Sequence, residues 1–361
     1  GGSQTINSNS IVTAFAKTGA GGSITGITTG GSSTTGTFSW SSNNFSNITV
    51  TGATSITIIN NTDGGSVNHN ITNNTINNIV GGTSTIVGIN SSFGGNQGGS
   101  GNLVSGNTIS NISSAGAISG ITIGSSGTSS TVSGNTIFGL ASSGASAVSG
   151  ITSAAPTSNN IFGNKIYDLS GSNASSTVNG ILVSAGTLHN VYNNIIGDLR
   201  TTAANAANPL NGLNFTGGTT INAYHNTVYL NGSSSGALFG SSAISASTSP
   251  TLTLRNNIFI NLSTTAGAGL ATVYRRASTT LTSYAAASNN NIFFSNATFF
   301  TDGTNTDATF AAYQTRVSTR DNASYSENCS FASTTGSSSS FLHFAPAATT
   351  LAESGGATIA T

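Results

Sequence analysis

Eight carboxylates, eight basic side chains, four histidines and one cysteine supply nearly all the acid–base and nucleophilic chemistry of this 361-residue chain. Asp168 and Asp198 are the closest thing to a working pair, each four positions after an asparagine, Asn164 and Asn194. Glycoside cleavage needs two such groups, an acid and a base or nucleophile, and Lys165 and Arg200 are close by in sequence. The same pair could share one cation. The competing reading is structural, because Asn47, Asn78, Asn111 and Asn261 occupy the equivalent position elsewhere. Asp then merely replaces Asn in a ladder of turns, and the sequence favours that reading. A second set is Asp302, Asp307 and Asp321 with Arg316 and Arg320. From Asp302 to Asp307 oxygen-bearing side chains alternate as in a Ca2+ loop. The closing Glu is missing and no helix is expected upstream, so a turn with ion pairs is expected and calcium is the lesser alternative. His69, His189, His225 and His343 show no zinc spacing. Cys329 reads as a small packing residue. Gly-x-Gly matches such as Gly267-Ala268-Gly269 lead into no helix and carry no phosphate-binding meaning.

Aromatic side chains offer a different chemistry, recognition of sugars. Tyr192 and Tyr224 each stand two positions before an asparagine, with Phe162 in the same place one segment earlier, and Tyr167, Tyr229 and Tyr274 are nearby. An exposed column of such rings would bind a glycan; ordinary cladding of a repeat protein is the alternative. Sequons such as Asn44-Phe45-Ser46 and Asn173-Ala174-Ser175 are expected by chance where Ser and Thr are this abundant.

Composition narrows the classes further. Only 4% of residues are charged and the net charge is zero, against about 25% charged in an ordinary domain. No basic stripe for phosphates can be built, which argues against nucleic-acid binding. No apolar run approaches the ~18 residues of a membrane span. Thr, Asn, Ser and Gly dominate and are poor helix formers. The chain is nevertheless 36% hydrophobic with 17 Phe, and its apolar residues recur in order, unlike a flexible linker. A single cysteine permits no internal disulfide. The start Gly1-Gly2-Ser3, without Met or signal peptide, reads as a processed product or an excised segment.

The elements that must position these residues are repeats. Asparagines recur at Asn9, Asn43, Asn74, Asn107, Asn135, Asn164, Asn194, Asn226, Asn257 and Asn291, at intervals of 28 to 34 and a mean of about 31. Two positions after each is an apolar residue, from Ile11 and Phe45 through Ile76, Ile109, Ile137 and Ile166 to Phe293. Three positions before, Ile6, Trp40, Ile71, Val104 and their equivalents form a second column, broken only at Ser288. A third column follows a small residue midway: Ile27, Ile89, Ile121, Ile151, Ile181, Leu213 and Ile244. Three apolar columns on short β-rich runs predict three strands per repeat. The whole is then an all-β parallel β-helix of about ten coils over 1–296, a rod of about 45–50 Å at strand spacing near 4.8 Å. Asn suits the bend because it tolerates the left-handed region and its amide can bond from coil to coil. Residues 297–361 break the repeat and hold seven of the sixteen charges, as a C-terminal cap would. The N-terminus has no counterpart, since Gln4–Ile11 already reads as the middle of a coil.

The runs at 73–79 (Asn-Asn-Thr-Ile-Asn-Asn-Ile), 106–112 and 163–169 resemble the right-handed parallel β-helix repeats of the pectate-lyase-like superfamily. More narrowly, the chain resembles β-helix regions of large secreted proteins of Bacteroidota exported by type IX secretion. The tail motifs Phe310-Ala311-Ala312-Tyr313-Gln314, 320–331 and Phe341-Leu342-His343-Phe344 carry this, although Cys329-Ser330 stands where such relatives usually have Pro. The resemblance implies a secreted or cell-surface protein. The fold hosts lyases, hydrolases, adhesins and inert spacers alike. Two functions are therefore expected: a non-enzymatic stalk, adhesive segment or fibre subunit self-associating through its open N-terminal end, or a protein that binds or cleaves polysaccharide. Ice binding is a weaker third, because no regular Thr-x-Thr column exists.

Overall fold

The computed structural model describes residues 2–31, 35–65, 67–92, 101–126, 129–353 and 355–359. Its strands fall into three sheets, of nine, eleven and twelve strands. The chain winds through all three once per repeat. The coil around Asn164 shows the plan, with Ser158–Phe162 in the first sheet, Lys165–Gly171 in the second and Thr177–Val183 in the third. Neighbours in each sheet come from successive coils and pair in parallel. The result is a β-solenoid of about nine turns.

Register puts like side chains over one another. Ile76, Ile109, Ile137 and Ile166 are direct partners along the second sheet and all are 0% exposed. Trp40, Ile71, Val104, Val132 and Ile161 do the same in the first sheet. In the third, Ile27 is followed by Ile59 and then Ile89, Ile121, Ile151, Ile181, Leu213 and Ile244, and the column runs on into Tyr274 and Phe300. Each fully buried Ile contributes about 1.5–3 kcal/mol, so cohesion comes from these columns and not from salt links. The glycines before the third column allow close approach: a Cβ on Gly120 would lie 2.7 Å from the Gly150 carbonyl oxygen and 2.9 Å from Ile137.

The two ends differ. The strands Gln4–Asn7, Ser10–Ile11, Phe15–Lys17 and Ser23–Thr29 are the open edges of the three sheets, and Ile11, Val12 and Phe15 are exposed. At the other end the third sheet continues to Thr298–Thr301, which pairs antiparallel with Thr306–Asp307. A helix missed in the sequence, Phe310–Val317, follows. Thr309 caps it by accepting from the Ala312 N–H, and its Tyr313 and Val317 are buried against the last coil. The chain then turns back along the flank of the rod. Phe341 packs on Tyr167, Phe331 on Tyr229, and Lys165 donates to the Ser338 carbonyl at 2.9 Å.

Candidate functional site

The asparagine column is one continuous hydrogen-bonded ladder. From Asn9 to Asn257 each asparagine donates both its backbone N–H and its Nδ2 to Oδ1 of the next, as Asn135 does to Asn164 at 3.0 and 2.9 Å. Nδ2 also donates to a carbonyl one coil back, Val104 in the case of Asn135. The ladder is therefore polar. Its last member, Asn291, donates instead to Ser324 Oγ and Asp321 Oδ1, both at 2.9 Å. Asp321 is fully buried and also accepts from the Tyr284, Tyr313 and Ser324 hydroxyls. Burial pushes its carboxyl above the usual range, and the four donors oppose that. This residue, expected only as one of a charged group, terminates the ladder. At the N-terminal end Asn9 offers acceptor positions on Oδ1 and donates inward.

The carboxylate pair is brought together, with structural partners. Asp168 (φ 54°) and Asp198 (φ 52°) hold the left-handed position that Asn47, Asn78, Asn111 and Gly139 hold in earlier coils. A short polar residue or glycine is what that backbone accepts most readily. Arg200 bonds both carboxylates at once. Burial raises the Asp198 pKa and the Asp168 charge adds to it, while Arg200 pulls it down. Lys165 takes no part, lying over the Tyr167 and Phe341 rings. Asn261 does not share the turn; it ends a strand, buried and bonded to Ser241 and Thr272.

Asp302 and Asp307 go separate ways. Asp302 closes a turn by accepting from the Thr304 and Asn305 N–H groups. Burial works to raise its carboxyl, but bonds from Asn305 and Thr304 hold it below the usual range. Asp307 takes a two-point bond from Arg316 at 2.6 and 2.7 Å. No group of three metal-ligating side chains exists among the described residues. His189 is inside the rod, bonded through Nε2 to the Ala185 carbonyl at 2.9 Å, and burial lowers its pKa. Cys329 packs with Ile260 and Ile292, its thiol pushed up to about 12 by burial.

The tyrosines divide by sheet. Tyr167 and Tyr229 lie under the returning C-terminal segment and Tyr274 is in the core, so none of the three joins an exposed column. Phe162, Tyr192 and Tyr224 do share one outward column of the first sheet. Phe162 and Tyr192 stack at 4.7 Å with planes 8° apart, so each covers one face of the other. Beside them runs a second outward column, Asn160, Asn190 and Asn222, linked amide to amide at 2.9 Å. Sequence reasoning missed these asparagines, although period-two alternation from Phe162, Tyr192 and Tyr224 points to them. The tail Ala357–Ile359 forms a further wall. Asn256 fixes it by a two-point bond to the Ala357 backbone, and Arg255 donates to the Thr358 carbonyl. Between these walls is a groove of about 650 Å3, lined by Asn190, Tyr192, Asn222, Tyr224 and Ile359 among others. Burial raises the Tyr192 and Tyr224 phenols, which therefore stay neutral. Comparison of the chain with family models, with curated proteins and with solved structures finds no match.

Proposed function

We propose that the chain is a non-enzymatic structural β-helix, a stalk or adhesive segment of a secreted or cell-surface protein of the pectate-lyase-like kind. One observation carries this reading: Asp168 and Asp198, the pair best placed for acid–base work, are held by one guanidinium in a turn position that other coils fill with Asn or Gly. A general acid or nucleophile needs a free approach to substrate, and a carboxylate whose oxygen is bonded to Arg200 does not offer one. Export is what the resemblance of the repeat runs at 73–79, 106–112 and 163–169 and of the tail motifs implies.

Ladder polarity bears on what the open N-terminal end meets. Asn9 faces outward with acceptors, so a coil that presents an Asn-type donor in the same direction continues the ladder. Two copies meeting end to end would set acceptor against acceptor, and a head-to-tail fibre must displace the helix and Asp321 at the far end. A stalk or adhesive segment is thus better supported than a fibre subunit. The experiment is a cleavage screen on neutral and acidic polysaccharides, read by reducing ends and by ultraviolet absorbance of unsaturated products. The expected result is no product from the wild type. Product that Asp168→Asn or Asp198→Asn abolishes overturns the proposal.

A further inference from the structure

The groove on the first sheet offers a combination that its parts do not offer singly. Three stacked amides lie beside aromatic rings one rung apart, and rungs repeat at about 4.8 Å. A pyranose ring in an extended chain advances by a comparable distance, so successive sugars meet successive rungs. Each amide carries a donor and an acceptor at the spacing of neighbouring sugar hydroxyls, and the rings accept the C–H faces of the same sugars. The amide column also has free ends. Asn190 Nδ2 donates to Asn160 Oδ1 and Asn222 Nδ2 to Asn190 Oδ1, which leaves Asn222 Oδ1 and Asn160 Nδ2 without a partner among the described residues. Tyr192 has one face on Phe162, and no ring covers the other among the described residues.

Charge selects within the sugars. Among the described residues, the groove lining holds no carboxylate, no lysine and no arginine. The nearest guanidinium, Arg255, is in register with Tyr224 and donates to the Thr358 carbonyl. His225 at the rim has its pKa lowered by burial and by Arg255, and so stays neutral at pH 7. An anionic glycan would lose its hydration with no cation in the lining to replace it. The size also fits, since about 650 Å3 is within the range of sites that enclose a small ligand.

We infer that this groove is a binding site for a neutral oligosaccharide, lying along the rod axis over Asn160, Asn190 and Asn222 with sugar faces against Tyr192 and Tyr224. The inference rests on the adhesive reading above and gives that reading a ligand class. The tail Ala357–Ile359 serves as the side wall that turns an open sheet face into a groove. The aromatic surface supplies affinity, and the amides set orientation.

The test is calorimetric titration of the full chain with neutral hexasaccharides of glucose, mannose and xylose, and with hexagalacturonate as the anionic probe. Binding of at least one neutral hexasaccharide, without binding of hexagalacturonate, is expected. Tyr192→Ala and Tyr224→Ala each weaken it at least about tenfold, with melting temperature measured alongside to confirm folding. Tyr192→Phe, which keeps the ring, stays within about threefold of the wild type. Asn190→Asp places a charge in the lining and weakens binding like the alanine variants. The inference is overturned if no neutral hexasaccharide binds, if the tyrosine variants bind as the wild type does, or if hexagalacturonate binds instead. Failure here leaves the stalk reading standing. Cleavage that depends on Asp168 removes that reading and leaves the groove to be judged by the tyrosine variants.

Discussion

Asn135→Ala isolates the asparagine ladder from everything else in the coil. The side chain is 0% exposed and sits in mid-rod. It donates to Val104 O at 3.0 Å and Asn164 Oδ1 at 2.9 Å, and its Oδ1 accepts from Asn107 N and Nδ2, both at 2.9 Å. Truncation removes these four bonds, each with a net contribution of about 1 kcal/mol. It also leaves the Asn107 N–H buried without an acceptor, at about 1–3 kcal/mol. The expected loss is about 5–7 kcal/mol, in the exceptional tail for single substitutions. Asn9→Ala is the internal control, because that residue is exposed and heads the ladder, so its removal should cost less than about 1 kcal/mol. Equilibrium urea unfolding followed by circular dichroism measures both. Amide hydrogen exchange locates the loss, which in a solenoid concentrates in the altered coil and its neighbours. If Asn135→Ala costs no more than Asn9→Ala, the ladder is an ornament of the turn and the apolar columns alone hold the coils together.

Two further outcomes follow from the buried titratable groups. Tyr313→Phe removes one of four donors to the Asp321 carboxyl without changing packing, and should cost about 1–3 kcal/mol in the same unfolding assay; no change would mean Asp321 does not organise the cap. His189 has a folded pKa below its reference value of 6.5, so it stabilises the neutral fold above that pH and the stability is lost as pH falls through the folded value. His189→Leu, in register with Ile221 and Leu252, should therefore flatten the decline of melting temperature between about pH 7 and 5, a slope identical to wild type being the result that counts against it.

The fold was readable because its signal is repeated. Ile76, Ile109, Ile137 and Ile166 each carry little information alone, yet a shared offset from ten asparagines makes winding into coils the simplest solution that buries them all. Ile59 escaped notice because Ile58, not a small residue, precedes it, and register restores it between Ile27 and Ile89. The helix Phe310–Val317 occurs once, has no repeat to amplify it, and is fixed by what it covers.

The candidate sites were less legible. That Asp168 and Asp198 lie near each other follows from the period, but that Arg200 spans both depends on where one long side chain reaches. The tyrosines show the same limit: an offset from the anchor gives the sheet and the face, and so separates Tyr192 and Tyr224 from Tyr167. It says nothing of which rings a distant segment will cover. The sequence by itself determined the periodic quantities, namely coil length, strand number and the inward residues, because these rest on local alternation and stacking of like on like. Only the tertiary structure decided the aperiodic ones. The termination of the ladder at Asp321, the burial of Tyr167 beneath Phe341 and the wall that Ala357–Ile359 gives the groove all join residues from different coils, and no local rule of spacing encodes such contacts.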